Sequence, residues 1–152
     1  MTTVDPTLTS GVMAALKHFV TVTDLHPILV NFTTALVPVS VLSDILARSR
    51  KDESLRQTAE WTLWFAMILT PLTAITGWLF WMSDDNGVAG MTIHKWLGTG
   101  LAVLLIGLFA WRLKLRRQKR WASFGYLAAG IVFITALVVQ GHLGGVQVFS
   151  GM

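Results

Sequence analysis

Cysteine is absent from the 152 residues, and with it go disulfides, iron–sulfur clusters, thiolate metal sites and covalently attached c-type haem. Any cofactor must be held by histidine, methionine, carboxylate or packing. Charge is also scarce. Asp, Glu, Lys and Arg make up 13% of the chain, about half of the roughly 25% usual in water-soluble domains, while 53% of the residues are hydrophobic. That balance excludes an ordinary soluble domain and indicates a membrane protein of a size that fits one domain. A net charge of +4 would suit nucleic acid if the basic residues were spread along a face, but they are confined to two short loops. Nucleotide-binding loops, nucleophile elbows and zinc-protease motifs are missing too. Nothing marks a hydrolase or a kinase, and the chain reads as an electron-transfer or accessory subunit rather than a self-contained enzyme. Residues 1–24 lack the basic start and long apolar run of a cleavable signal, so they are expected to be retained.

The chain does contain four apolar runs, predicted as membrane spans over about 27–47, 59–82, 92–111 and 121–141. Helices of about 20 residues match a hydrocarbon core of roughly 30 Å, and short connections favour an up-down-up-down arrangement. The expected fold is therefore an all-α integral membrane four-helix bundle, one domain over residues 25–152, preceded by an interfacial helix within 1–24. Val12, Met13, Leu16, Phe19 and Val20 fall at amphipathic spacing there, with Thr9 or Ser10 as candidate caps. Trp61 and Trp64 open the second span, and Trp78 and Trp81 close it, as interface anchors do. Pro27 suits the first turn of a helix; Pro38 interrupts the first span, with Thr33, Thr34 and Ser40 near enough to satisfy the freed carbonyl. Asp44 is expected to pair with Arg48. Met67, Met82 and Met91 read as filler.

Ten of the twelve Lys and Arg residues lie in loops 48–58 and 112–120, and the acidic turn around Asp84 and Asp85 has none. By the positive-inside rule the two basic loops face the cytoplasm, whereas both termini and the 83–91 loop face the periplasm of a bacterial inner membrane.

This topology brings three histidines to one level. His26 precedes Arg48 by 22 residues, His94 precedes Arg112 by 18 and His142 follows Arg120 by 22; at about 1.5 Å per residue all three lie roughly 27–33 Å from the basic loops. In an up-down-up-down bundle the first and third spans are diagonal, so His26 and His94 can approach a planar group from opposite sides, with His142 entering from the fourth span. Haem b fits these needs: one or two imidazoles for the iron and no cysteine. Gly98, one turn below His94, with Gly77, Gly100, Gly130 and Gly141, would leave room for the macrocycle, and Lys95, Lys17 or Thr92 could meet its propionates. His18, on the polar side of a surface helix, reads as solvated. Two other readings stand beside this one. The first is a cofactor-free accessory subunit of a respiratory or photosynthetic membrane complex. The second is a copper, zinc or iron site formed by His26, His94 and His142.

The segment Leu25-His26-Pro27-Ile28-Leu29-Val30-Asn31-Phe32, with Thr76-Gly77-Trp78-Leu79 closing the second span, a histidine opening the third and Gly141-His142-Leu143-Gly144-Gly145 closing the fourth, resembles the four-helix bacterial inner-membrane proteins grouped as domain of unknown function 2231. The resemblance covers about Leu25 to Val148. Family members often begin with His-Pro-x-x-Val-His-Phe-Pro and end with His-x-Gly-Gly. Here Asn31 stands where the second histidine would be and Thr33 where the proline would be, so a tandem-histidine role on the first span is lost while His26 remains. The resemblance implies a membrane bundle and, since relatives occur joined to c-type cytochrome or iron–sulfur domains, electron transfer at the outer face, within a larger complex or with a periplasmic redox partner.

Overall fold

A computed structural model describes residues 6–81 and 89–149; the acidic turn with Asp84 and Asp85, and Met82, lie outside them. Five helices account for nearly all of it: α1 (Pro6–Val22), α2 (Leu25–Arg50), α3 (Glu53–Trp81), α4 (Ala89–Arg117) and α5 (Phe124–Phe149). Strands are absent among the described residues. Helices α2 to α5 are each long and apolar enough to cross a membrane. Each hairpin's helices run antiparallel, α2 packs on α3 and α5, and α4 packs on the same two helices, which leaves α2 and α4 across the diagonal. The bundle is the expected one. Helix α1 rests on α3 and α2; its Val20 is buried, while Val12, Leu16 and Phe19 stay exposed.

The helices run past the apolar spans. Residues 48–50, 53–58 and 112–117, expected in loops, are helical, because Arg, Lys, Glu and Gln are good helix formers and charge alone does not end a helix. Backbone geometry ends them instead. Lys51 takes a left-handed conformation (φ 55°) with its N–H on the Ala47 carbonyl, and Asp52 N–H also reaches that carbonyl at 3.1 Å. Helix α4 closes in the same way, with Lys119 at φ 53° and Arg120 N–H on the Leu115 carbonyl at 3.0 Å. Asp52 then caps α3 by accepting from Ser54 and Leu55 N–H, and Ser123 caps α5 by accepting from Tyr126 N–H. Thr9 and Ser10, the candidate caps, lie inside α1 rather than at its start.

The first hairpin is stitched by hydroxyls. Ser40 Oγ donates to the Ala59 carbonyl at 2.7 Å, and Thr33, Thr70 and Thr73 form a ladder between α2 and α3. Thr34 bonds back to the Val30 carbonyl. The three hydroxyls expected to relieve Pro38 are thus engaged elsewhere, two of them in holding α2 to α3.

The two hairpins share one register. A shift of 68 residues carries Val37 onto Leu105, Val41 onto Phe109, Ala47 onto Leu115 and the left-handed Lys51 onto the left-handed Lys119; a shift of 67 carries Ala59 onto Tyr126 and Ala66 onto Phe133. All of these except the two lysines are buried. Helices α2–α3 and α4–α5 are therefore equivalent units about an axis along the bundle, the parallel kind of internal repeat.

Candidate functional site

The repeat extends to the charged and titratable side chains. Asp44 stands 18 residues after His26 and Arg112 stands 18 after His94, and 18 residues make five turns of about 3.6. Each histidine therefore lies above its charged partner on one helix face, at a distance of about 27 Å. At the lower level the two faces meet: Arg112 Nε donates to Asp44 Oδ2 at 2.9 Å and Nη2 to Oδ1 at 3.0 Å, with both side chains 1% exposed. Arg112 Nη2 also donates to the Arg56 carbonyl at 3.2 Å. Asp44 is therefore not paired with Arg48, as its sequence neighbourhood suggested. Arg48 turns outward, donates to the Ala122 carbonyl at 2.9 Å and lies over the Phe124 ring.

At the upper level His26 and His94 are held by matching devices. The His26 ring covers Gly77, where a Cβ would come within 2.8 Å of its Cε1, and its Nδ1 lies 3.0 Å from the Thr73 carbonyl oxygen. The His94 ring covers Gly144, where a Cβ would again come within 2.8 Å of Cε1, and its Nδ1 lies 3.2 Å from the Gln140 carbonyl oxygen. Each imidazole sits over a glycine and is bonded to the carbonyl four residues earlier on the second helix of its own hairpin. A carbonyl only accepts, so Nδ1 carries the proton and Nε2 keeps its lone pair in both rings.

The remaining ring nitrogens differ. His26 Nε2 makes no hydrogen bond among the described residues. His94 Nε2 faces the Gln140 amide nitrogen at 3.3 Å, and that nitrogen also donates to the His94 carbonyl at 2.9 Å. Gln140 Oε1 is buried without a partner.

The predicted room around these rings is partly filled. A Cβ at Gly98 would meet the Gln140 amide at 2.8 Å, so the groove below His94 holds Gln140. Gly77 receives His26, and Gly130 receives Val41 at 2.7 Å, whereas Gly100 and Gly141 have nothing within 4 Å. Lys95 Nζ lies 5.5 Å from the Trp78 ring centre, and Trp78 packs edge-on against Trp96 and donates to Thr99 Oγ1. Lys17 is half-buried on α1, and His18, Thr92 and His142 are exposed. Among the described residues no three His, Asp or Glu side chains converge to hold a metal ion. Of the three histidines, His142 stands exposed on α5, whereas His26 and His94 are half-buried.

Thr73, Gln140 and the Asp44–Arg112 pair carry no motif of their own, and Gly144 enters the sequence only as part of the His-x-Gly-Gly ending. Their signal is the spacing itself: His followed 18 residues later by a charge, twice, and a glycine four residues after the residue whose carbonyl accepts the imidazole hydrogen bond, twice.

The sequence profile of a family described as predicted membrane protein (DUF2231) matches residues 22–151. Neither a curated protein nor a solved structure matches.

Proposed function

The chain belongs to this family of membrane proteins, and on that premise we propose that the histidine end of the bundle is a b-type haem site of a small electron-transfer subunit, where His26 and His94 would hold the haem. One observation carries the reading. Two imidazoles on diagonal helices, in equivalent positions, each have Nδ1 tied to a main-chain carbonyl, the arrangement that fixes the tautomer and makes Nε2 a better ligand. The donor set fits haem b: two neutral imidazoles and no cysteine. Such a group would cycle between ferrous and ferric iron and pass one electron at a time.

The protein residues act by orienting and tuning. The Thr73 and Gln140 carbonyls hold the two rings against rotation. The Gln140 amide guards His94 Nε2 and must withdraw before that nitrogen can serve as a ligand, giving up its bonds to that nitrogen and to the His94 carbonyl while freeing its unpartnered Oε1. Lys95 puts a cation one residue beyond His94. By the positive-inside rule this end faces the periplasm of a bacterial inner membrane, together with both termini and the 83–91 turn, and the basic loops face the cytoplasm. The redox partner is then periplasmic or part of a larger membrane complex.

The test is an absorption spectrum of detergent-purified protein made with haem in supply, oxidised and then dithionite-reduced. A reduced α-band is expected, abolished by His26→Ala or His94→Ala and kept by His142→Ala. No band in the parent overturns the reading and favours the other one, a cofactor-free accessory subunit. That alternative draws on the filling of Gly77, Gly98 and Gly144 by the chain's own side chains.

A further inference from the structure

The basic end of the bundle carries a second feature, independent of the histidines. Two cavities flank the turn between α4 and α5. One, of about 440 Å³, is lined by Arg48, Lys119, Arg120, Trp121, Ser123 and Phe124. The other, of about 660 Å³, includes Trp111, Lys114, Gln118, Arg120 and Ser123. Arg120 and Ser123 belong to both, so the two cavities adjoin.

Their chemistry is anion-binding and one-sided. Neither lining contains a carboxylate. The acids nearby are engaged elsewhere: Asp44 holds Arg112, Glu60 holds Arg116 and Glu53 holds Arg56. Among the described residues Arg48, Lys114, Lys119 and Arg120 take part in no ion pair. The left-handed conformation at Lys119 ends α4 and turns the chain, so that consecutive cations line the first cavity.

The walls are apolar and aromatic, and they stand at the ends of two membrane helices. Phe124 is 74% exposed and Trp111 39% exposed, and Trp121 lies under Lys51 and Arg56. Tryptophan beside Lys and Arg at a helix end marks the headgroup layer. A free anion would not need apolar walls, whereas a lipid does, and basic pockets at such a level take anionic headgroups.

We propose that these adjoining cavities bind one anionic phospholipid with two phosphates, a lipid of the cardiolipin class. One phosphate sits by Arg48, Lys119 and Arg120, the other sits by Lys114 and Arg120, and the acyl chains run along Trp111 and Phe124. Arginine is suited to the shared position because its planar fork can bond two phosphate oxygens at once.

Native mass spectrometry of the full chain, released from nanodiscs of phosphatidylcholine doped with equal parts cardiolipin and phosphatidylglycerol, tests this. One retained cardiolipin per chain is expected, at least tenfold over phosphatidylglycerol. Arg120→Gln and the Arg48→Gln/Lys114→Gln double variant are expected to lose that preference. Arg50→Gln and Arg117→Gln remove charge outside both linings and should keep it. Folding of each variant is checked by helical circular dichroism and melting temperature; Arg120→Lys, which keeps the charge, is read beside any variant that melts early and should retain part of the preference. Equal retention of both lipids, loss in the outside controls as large as in the site variants, or displacement by millimolar inorganic phosphate would each overturn the proposal.

Discussion

Arg112 reaches across the diagonal of the bundle to Asp44 and grips it with two hydrogen bonds, although the backbones of the helices that carry them stay apart. Two charges taken out of water are tolerated only as a pair, and removing one partner leaves the other stranded.

Asp44→Ala or Arg112→Ala alone should therefore destabilise the bundle by about 3–5 kcal/mol, whereas replacing both by apolar residues of similar size, Asp44→Leu with Arg112→Met, should recover most of that loss. Thermal unfolding in detergent reads all three variants. A double variant no more stable than the worse single one would show that the pair does more than neutralise itself.

Gly77→Ala and Gly144→Ala should each push an imidazole off its carbonyl, since the added methyl would meet Cε1 at 2.8 Å; overpacking of this kind costs about 1–3 kcal/mol. Gly100→Ala and Gly141→Ala, where nothing lies within 4 Å, should instead be neutral or gain up to about 1 kcal/mol of helix propensity. The ring proton of each histidine, followed by nitrogen-resolved NMR, should show Nδ1–H in the parent and lose its hydrogen-bonded shift in the first pair of variants alone.

Gln140→Ala frees His94 Nε2 from the amide that faces it. Under the proposed ligation, removing this competing hydrogen bond, worth about 1 kcal/mol, should tighten haem binding roughly fivefold. A haem titration of the purified apoprotein measures it, and weaker binding would mean that Gln140 supports the ligand rather than competing with it.

Lys51→Gly should stabilise the protein by about 1 kcal/mol, because its left-handed backbone (φ 55°) strains any residue with a Cβ and glycine is free of that cost. The melting temperature should rise. Lys119→Gly should do the same at φ 53° while weakening the lipid preference, so the two substitutions separate backbone relief from loss of charge.

The bundle and the level of its histidines were legible because they follow from gross patterns: apolar runs of membrane length, tryptophans at their ends, and the distance from each histidine to a basic cluster. The helix ends were not legible, since Arg48 and Arg50 continue α2 and only the turn at Lys51 stops it. Asp44 was misassigned for a physical reason. Arg48 is its neighbour one helical turn on, where ion pairs form along a surface helix, yet Asp44 faces the interior and Arg48 does not. The glycines were read as space for a flat ligand. Gly77 and Gly98 instead take His26 and Gln140, each with a hydrogen bond to make there, and Gly130 takes Val41, while Gly100 and Gly141 stay open. Which side chain would arrive depended on how the two helices of each hairpin meet, and the likeness of the two hairpins shows only when residues 26 and 94, and 44 and 112, are set side by side.

That register bears on how the halves recognise each other. Two copies of the first hairpin brought together about the same axis would set aspartate against aspartate, and two copies of the second would set arginine against arginine, each buried and repelled. Only the unlike halves can neutralise the position where they meet. A chain severed between α3 and α4 should thus reassemble as a one-to-one pair of different fragments and reject pairs of the same fragment. The buried Asp44–Arg112 pair at the bundle's basic end thus also decides which halves may share a membrane address.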